Sequence, residues 1–185
     1  MERLAATRGR EPRPTAIDMD EKVALVMVTL GHLSVVRDRT AYLERVVELC
    51  SQATDAERCT VYVVDREKGE LHSAVAMRLG HEIRLPIGQG LAGQVAATGE
   101  TINVPDAYAD ARFERSVDRR TGFRTLNILA VPVWDHDGQA VVGVIQVLNK
   151  RGGAFERHEQ MLLERIAEAI GPVLEQPVLP RGGVR

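Results

Sequence analysis

Two apolar runs separated by a short polar turn constrain the fold of this chain more than any other feature. Leu126–Trp134 and Gln139–Leu148 are rich in Val, Ile and Leu, and the residues between them are Asp135-His136-Asp137-Gly138. Asp-Gly in this position is typical of a tight β-hairpin turn. Pro132 cannot donate a hydrogen bond to a neighbouring strand, so it predicts a sheet edge or a bulge. The chain therefore contains an antiparallel hairpin of two buried strands.

Other stretches have helical periodicity. Apolar residues recur at helical spacing in Asp20–Arg37, Thr40–Ala53 and Phe155–Val173, which predicts two helices early in the chain and a long one near its end. A shorter helix is predicted to start at Gly90–Gly93 and to be closed by Gly99. Further strands are predicted at Cys59–Val64, Glu70–Met77, Glu82–Leu85 and Thr101–Val104. Hairpins on both sides of a central connection indicate a mainly antiparallel sheet with helices on one face, an α+β fold.

The composition excludes several classes of function. The 24 basic and 26 acidic residues give a net charge of −2, whereas a nucleic-acid surface usually needs a concentrated basic patch. Apolar stretches such as Val23–Val28 and Ala140–Ile145 are far shorter than the roughly 20 residues of a membrane-spanning helix. Met1–Thr15 has no apolar core and does not read as a secretory signal. We therefore expect no nucleic-acid partner, no membrane partner and a cytoplasmic location.

The connection Asp106–Thr125 is polar and irregular, with one short helix predicted around Arg112–Arg119. Long structured connections in compact domains are more often functional than incidental. Asp118, Thr121 and Thr125 supply one carboxylate and two hydroxyls, which can recognise a ribose hydroxyl or a purine edge. Asp and Thr also cap helices, so a purely local role stays an open alternative.

The turn Gly90-Leu91-Ala92-Gly93 is a second candidate for ligand contact. It places backbone amides at the start of a helix without bulky side chains, which is an arrangement that receives a phosphate. The same glycines also fit a simple corner between a strand and a helix. Both interpretations remain open from the sequence.

Several residues in the second half of the chain fall at spacings that a hydrophobic pattern alone would not require. They are Asn103–Tyr108, Arg112-Phe113, Asp118, Thr121–Thr125, Pro132, Gly143 and Asn149-Lys150. From about Leu43 to Ile170 the chain resembles a GAF domain, of the branch found in cyclic nucleotide phosphodiesterases and bacterial adenylyl cyclases. The resemblance implies a GAF/PAS-like six-stranded antiparallel sheet with the N- and C-terminal helices on one face. A ligand pocket on the other face would be roofed by the irregular connection.

The resemblance also implies a set of ligand-binding residues. A hydroxyl at Thr60 would read the base, the turn holding Leu91 and Ala92 would bind a cyclic phosphate, and Asp118, Thr121 and Thr125 would contact the nucleotide. Two further positions depart from the family pattern. Ala76-Met77 stands where relatives often carry an aromatic residue and an acid, so Met77 would offer only apolar contact. Gln146 stands in place of a glutamate, and its amide can both donate and accept.

A family motif near the carboxy terminus is partly present as Asn149, Lys150, Phe155 and Glu159. We interpret these residues as structural. Lys150 at a strand end and Glu159 in the first turn of the last helix are expected to form an ion pair that joins the two elements, and Glu159 suits the positive end of the helix dipole. An exposed pair of this kind is worth only about 1 kcal/mol or less.

The predicted organisation has four parts: a flexible lead at 1–17, an N-terminal dimerisation helix at 18–39, the GAF domain at 40–175 and a flexible tail at 176–185. The dimerisation helix is inferred from Val23–Val28, an apolar run too wide to be covered from one side. We therefore expect a homodimer, with a signalling protein as a further candidate partner.

Catalytic patterns are absent from the sequence. The histidines lack metal-ligand spacing, and no nucleophile elbow or Walker loop occurs. GAF proteins that reduce free methionine sulfoxide use three cavity cysteines, which Cys50 and Cys59 do not match; both are read as buried. The chain is thus predicted not to be an enzyme and to use no cofactor. Its function is predicted to be a sensor with a cyclic nucleotide as candidate ligand, or alternatively a ligand-free dimerisation or protein-interaction module.

Overall fold

The computed structural model describes residues 19–33, 36, 38–77 and 82–176, apart from the side chains of Met19, Arg120 and Thr121. Within this part of the chain the helices and strands follow the predicted order. They are α1 (Met19–Leu33), α2 (Arg39–Thr54), β1 (Ala56–Asp65), β2 (Glu70–Ala76), β3 (Arg84–Pro86), α3 (Gly90–Thr98), β4 (Ile102–Val104), α4 (Arg115–Thr121), β5 (Ile128–Trp134), β6 (Val141–Lys150) and α5 (Arg157–Leu174). The predicted flexible lead at 1–17 and nearly all of the tail at 176–185 lie outside the described residues.

The strands form one six-stranded antiparallel sheet in the order β3-β2-β1-β6-β5-β4. This confirms the predicted α+β class. Pro132 pairs with Val144 of β6 but lies beyond Ala130, the last residue of β5 that pairs with β4. Beyond Ala130 this side of β5 is a local sheet edge, where the lack of an N–H at Pro132 is tolerated. A bulge follows between Val133 and Trp134. Both predictions for Pro132, a sheet edge and a bulge, therefore match its surroundings.

Helices α1, α2 and α5 cover one face of the sheet and enclose the main apolar core. Alternate strand residues project toward them, among them Val61 of β1 and Ile145 of β6, each 0% exposed. Helix α1 contributes Val26 and Leu33 to this core. None of the described helices is both long and apolar enough to cross a membrane.

Helix α5 packs closely against the sheet where glycines face it. A Cβ atom at Gly143 of β6 would lie 2.5 Å from Leu174 Cδ1, and one at Gly171 would lie 2.2 Å from the carbonyl oxygen of Trp134. Real Cβ atoms do not approach other atoms this closely, so the last turns of α5 can seat on β5 and β6 only because these positions lack side chains. The carboxy-terminal helix is therefore fixed to the centre of the sheet.

The opposite face is covered by α3 and by the connection 106–125, which we call the roof segment. A second, smaller apolar cluster lies here, and it joins Tyr62, Ile128 and Val144 of the sheet to Leu91 and Val95 of α3. The short helix of the roof segment lies a few residues later than predicted, because Glu114 accepts a hydrogen bond from the Ser116 N–H and caps α4 at that point.

Candidate functional site

A cavity of about 110 Å³ lies between the sheet, the start of α3 and the roof segment. Its walls are mainly apolar, with a few polar groups on the strands and the roof. The lining residues are Arg58, Thr60, Tyr62, Ile83, Leu85, Gly90, Leu91, Ala92, Phe113, Glu114, Val117, Asp118, Phe123, Thr125, Ile128, Gln146 and Leu148. An apolar enclosure with a small number of placed polar groups is typical of a small-molecule site.

Most of the residues predicted to contact a ligand meet at this cavity. They come from β1, α3, the roof segment and β6, and they are Thr60, Leu91, Ala92, Asp118, Thr125 and Gln146. Thr121 ends α4 within the roof segment, but its side chain is outside the described residues. The sequence-based set is thus gathered in one place by the fold, and its role in binding remains a prediction.

Met77 does not belong to the cavity. Its N–H donates to the Cys59 carbonyl, and its side chain packs against the main core on the helix side of the sheet. Strand residues that lie opposite each other project from the same face, and Cys59 faces the helices. Thr60, which faces the cavity, lies opposite Ala76. The prediction for Met77 was therefore placed one residue too far along the strand, on the wrong face.

The start of α3 leaves its first turn without a side-chain cap. Gly90 adopts a φ of +65°, and a Cβ at this position would meet no atom within 4 Å. Gly93 is required for a different reason, since its Cβ would lie 2.6 Å from the Pro86 carbonyl oxygen. The cap residue Gln89 makes no side-chain capping hydrogen bond. The first backbone amides of α3 therefore reach the cavity wall without a side-chain cap, at the positive end of the helix dipole.

Asp118 is the centre of a hydrogen-bond network within the roof segment. It is 6% exposed. Its Oδ1 accepts from Thr125 Oγ1 at 2.8 Å, and its Oδ2 accepts from the Thr125 N–H at 2.7 Å and from Tyr108 Oη at 3.1 Å. Both carboxylate oxygens are thus engaged by the roof itself. This geometry favours the local role that the sequence left open, with ligand contact as a secondary use of the same side chains.

Tyr108 organises the outer part of the roof segment. Its ring lies 5.4 Å from the Phe113 ring between centroids, and the guanidinium carbons of Arg115 and Arg124 lie 5.2 and 4.9 Å from its centroid. Desolvation and the hydrogen bond to Asp118 raise the pKa of Tyr108, so its hydroxyl remains a donor at neutral pH. The roof is held together mainly by contacts within itself.

The floor of the cavity includes a polar pair that spans two strands. Thr60 of β1 lies directly opposite Gln146 of β6, so both side chains project from the same face. Tyr62 is 3% exposed, and its hydroxyl lies 3.4 Å from Gln146 Oε1. Burial raises the pKa of Tyr62. Sequence reasoning missed Tyr62, although its spacing of two residues from Thr60 would have placed it on the same strand face.

Arg58 is a second lining residue that the sequence did not single out. It also lies two positions from Thr60, on the same face of β1. Its guanidinium carbon is 3.6 Å from the centroid of the Phe123 ring, so the side chain reaches from the sheet to the roof segment. Its Nε is buried and has no hydrogen-bond partner in the described structure.

Comparison with known proteins agrees with the fold and the cavity described above. The GAF domain model covers residues 38–174. The chain belongs to the GAF domain family. A probable 3′,5′-cyclic phosphodiesterase of Caenorhabditis elegans is 32% identical over 152 residues, which are 75% of this chain and 21% of that protein. A dual 3′,5′-cyclic-AMP and -GMP phosphodiesterase of Takifugu rubripes is 31% identical over 142 residues, 69% of this chain and 16% of that protein.

Solved GAF domains share the architecture at lower identity. The GAF domain of a phosphoenolpyruvate-protein phosphotransferase from Coxiella burnetii matches with a TM-score of 0.74 and 20% identity, over 83% of this chain and 94% of that one. Free methionine-R-sulfoxide reductase from Neisseria meningitidis matches with a TM-score of 0.72 and 19% identity, over 95% and 96% of the two chains. These likenesses establish the fold alone.

The carboxy-terminal motif of this GAF domain joins β6 to α5 through the ion pair expected from its residues. Lys150 Nζ lies 2.8 Å from Glu159 Oε1, and the two side chains are 12% and 2% exposed. Glu159 is thus buried and Lys150 largely so, whereas the sequence-based estimate of the pair's energy assumed an exposed one. Glu159 Oε2 also accepts from the Glu156 N–H at 2.7 Å at the start of α5. Phe155 is 5% exposed, and its carbonyl accepts from Asn103 Nδ2 at 3.1 Å.

Asn149 connects the roof segment to the sheet. It has a φ of +58°, its Oδ1 accepts from the Leu126 N–H at 2.7 Å, and its Nδ2 donates to the Arg124 carbonyl at 2.9 Å. Asn can adopt this left-handed conformation more readily than most residues. The end of the roof segment is therefore attached to the residue that precedes Lys150.

The cysteines of the GAF domain lie away from the cavity. Cys50 and Cys59 are both 0% exposed in the core on the helix side of the sheet. Burial raises the pKa of the Cys59 thiol well above its usual range, and the neighbouring Cys50 adds to the rise. Both features disfavour a reactive thiolate. Among the described residues, no group of three or more His, Cys, Asp or Glu side chains is arranged to hold a metal ion.

Proposed function

We propose that this GAF domain is a sensor whose cavity binds a cyclic nucleotide or a small molecule of similar chemistry. The observation that carries the proposal is the convergence of six predicted ligand residues on one mainly apolar cavity beside the uncapped start of α3. The backbone amides of α3 would receive the phosphate, while Thr60 and Gln146 would present a hydroxyl and an amide to the base.

The similar phosphodiesterases support the choice of ligand class. Their names describe enzymes that act on cyclic nucleotides, and proteins named cGMP-specific 3′,5′-cyclic phosphodiesterase from Drosophila sechellia and Drosophila virilis are each 40% identical over 101 residues. The chain spans 21% or less of the length of these relatives. We therefore carry over only the class of ligand, and assign no phosphodiesterase activity to this domain.

The size of the cavity implies that the roof segment moves when a ligand binds. Pockets for drug-sized ligands usually enclose about 300–1,000 Å³, whereas this cavity encloses about 110 Å³. A nucleotide would therefore need an expansion of this space. Ligand binding would shift the population toward a state with the roof displaced.

A short chain of contacts offers a route from the roof segment to the last helix. Asn149 holds the backbone at Arg124 and Leu126, and the next residue, Lys150, is paired with Glu159 in α5. A displacement of the roof would therefore act on the strand end to which α5 is attached. This contiguity supports signalling through the terminal helices. Double-mutant cycles between the roof segment and α5 would test the coupling.

We further propose that the domain acts as a homodimer in the cytoplasm. Val23, Met27 and Val28 of α1 are 43%, 65% and 57% exposed, which leaves an apolar strip on the outer side of the terminal helices. A second copy or a signalling partner would cover this strip. The observation also suits the alternative of an interaction module, and light scattering of the wild-type chain and Met27→Glu would show whether α1 forms the dimer contact.

Calorimetric titration tests the binding proposal directly. The 185-residue chain would be titrated with cyclic AMP and cyclic GMP, with Thr60→Ala as the site variant and Thr29→Ala on α1 as a matched control. We expect heat and thermal stabilisation with at least one nucleotide, weakened by Thr60→Ala and unchanged by Thr29→Ala. An absence of heat and of any thermal shift at millimolar concentrations of both nucleotides would refute the proposal.

A further inference from the structure

Arg58 is the only cationic side chain among the described residues that line the cavity. Two carboxylates also belong to the lining, but both are committed to the roof segment. Asp118 is bonded to Thr125 and Tyr108, and Glu114 accepts from the Ser116 N–H at the start of α4. Neither carboxylate forms an ion pair with Arg58 in the described structure.

The present contacts of Arg58 do not satisfy its hydrogen-bonding capacity. A guanidinium carries five N–H donors in a planar arrangement that matches carboxylates and phosphates. Here the buried Nε of Arg58 has no acceptor in the described structure, and the group lies 3.6 Å over the Phe123 ring instead. A ring face attracts a cation but accepts no strong hydrogen bond. Arg112 of the roof, by contrast, is paired with Asp110 at 2.6 Å.

We propose that the planar edge of Arg58 receives the anionic group of the ligand, while the Phe123 ring on the guanidinium face holds the group in position. The ligand class is a small monoanion, such as the phosphodiester of a cyclic nucleotide, which accepts charge-assisted hydrogen bonds from the Arg58 N–H groups. This inference rests on the proposed function. Arg58 of β1 would thus bind the negative charge of the ligand together with the backbone amides of α3.

The shared guanidinium would couple the anion to the roof segment. Phe123 lies two residues before Thr125, which is bonded to Asp118 by both its hydroxyl and its N–H. An anion bound at the planar edge of Arg58 would leave the Phe123 ring on the guanidinium face, so that Arg58 contacts the ligand and the roof segment at once. The charge of the ligand would therefore act on the roof segment through Arg58 and Phe123, and uncharged ligands would lack this effect.

Calorimetry with charged and uncharged ligands tests the role of Arg58. Wild-type chain, Arg58→Gln, Arg58→Lys and Phe123→Leu would be titrated with cyclic GMP, cyclic AMP, guanosine and adenosine. Arg45→Gln removes one positive charge on the exposed surface of α2 and serves as the control. We expect Arg58→Gln to weaken nucleotide binding by about tenfold or more, as for the loss of a charge-assisted contact, and to change nucleoside binding by less than about twofold. Arg58→Lys should retain part of the charge preference.

Phe123→Leu provides an independent measurement if Arg58→Gln folds poorly. We expect this variant to bind the nucleotide less tightly relative to the nucleoside, because Arg58 loses the ring that holds its guanidinium in position, and the effect should disappear in Arg58→Gln/Phe123→Leu. A wild-type chain that binds nucleotides while both variants keep its nucleotide-to-nucleoside affinity ratio would overturn the role of Arg58 and leave the proposed function standing. A wild-type chain that binds none of the four ligands would overturn both.

Discussion

The two faces of the sheet are built from the same strands but by different physical means. On β1, Cys59 and Val61 face the helices and are 0% exposed in a continuous apolar core, whereas Arg58, Thr60 and Tyr62 face the cavity. The helix face is held by close packing, while the cavity face combines a smaller apolar cluster with directed polar contacts in the roof segment around open space. A strand that alternates in this way lets one face supply stability and leaves the other free to change its contacts.

The largest loss of stability on the helix face is expected when the ion pair between Lys150 and Glu159 is broken. Glu159→Ala would leave the largely buried Lys150 with only the exposed Glu156, 3.9 Å away, and losing one member of a buried pair costs about 3–5 kcal/mol. Urea unfolding would measure the loss. Glu168→Ala on the same helix removes an exposed partner of Arg165 and should cost about 1 kcal/mol or less. Similar losses for the two variants would show that the pair is not structural.

A pair of leucines compares the two faces directly. Leu163→Ala removes a side chain that is 0% exposed in the main core, and such changes cost about 2–5 kcal/mol. Leu91→Ala removes a side chain that borders the cavity, so fewer packing contacts are lost and the cost should be clearly smaller. Denaturation of both variants measures the difference. Equal losses would mean that the cavity face is as tightly packed as the helix face.

The sequence predicted the helix face more completely than the cavity face. Periodicity is sufficient to place α2 and α5, because burial on one side leaves a regular apolar stripe such as Leu162, Leu163 and Ile166. Placing Met77 required the strand pairing, since a shift of one residue moves a side chain to the other face. Arg58 was missed because its importance depends on Phe123, which the roof brings opposite it, and Tyr62 because its hydroxyl meets Gln146 on a strand distant in sequence. The volume of the cavity and the bonding of Asp118 are properties of packing that a linear pattern does not contain.

A roof variant should have an intermediate effect. Asp118→Asn replaces one acceptor oxygen by an amide that faces the donors of Thr125 and Tyr108, and a buried polar group left unsatisfied costs about 1–3 kcal/mol. Thr125→Val removes only the hydroxyl and should cost less. Urea unfolding gives both values. A neutral Asp118→Asn would exclude this carboxylate as the centre of the roof.

The smallest effect is expected at the far end of the sheet, where His136 meets Glu175 at the end of α5. The hydrogen bond to Glu175 raises the pKa of His136 above its ordinary value of 6.5. A raised pKa means that the contact stabilises the fold fully below pH 6.5 and that this stabilisation disappears as the pH rises through the raised value. His136→Gln should therefore reduce stability at acidic but not at alkaline pH. A difference from wild type that is constant across this range would contradict the assignment.

Hydrogen–deuterium exchange with and without cyclic GMP tests most directly whether the cavity face changes while the helix face stays fixed. At saturating nucleotide, the account predicts altered exchange of amides in the roof segment and at the start of α3, with unchanged exchange at Val61 and Ile145 in the main core. Binding that leaves the roof segment unaltered, or that alters the main core to the same extent, would contradict it.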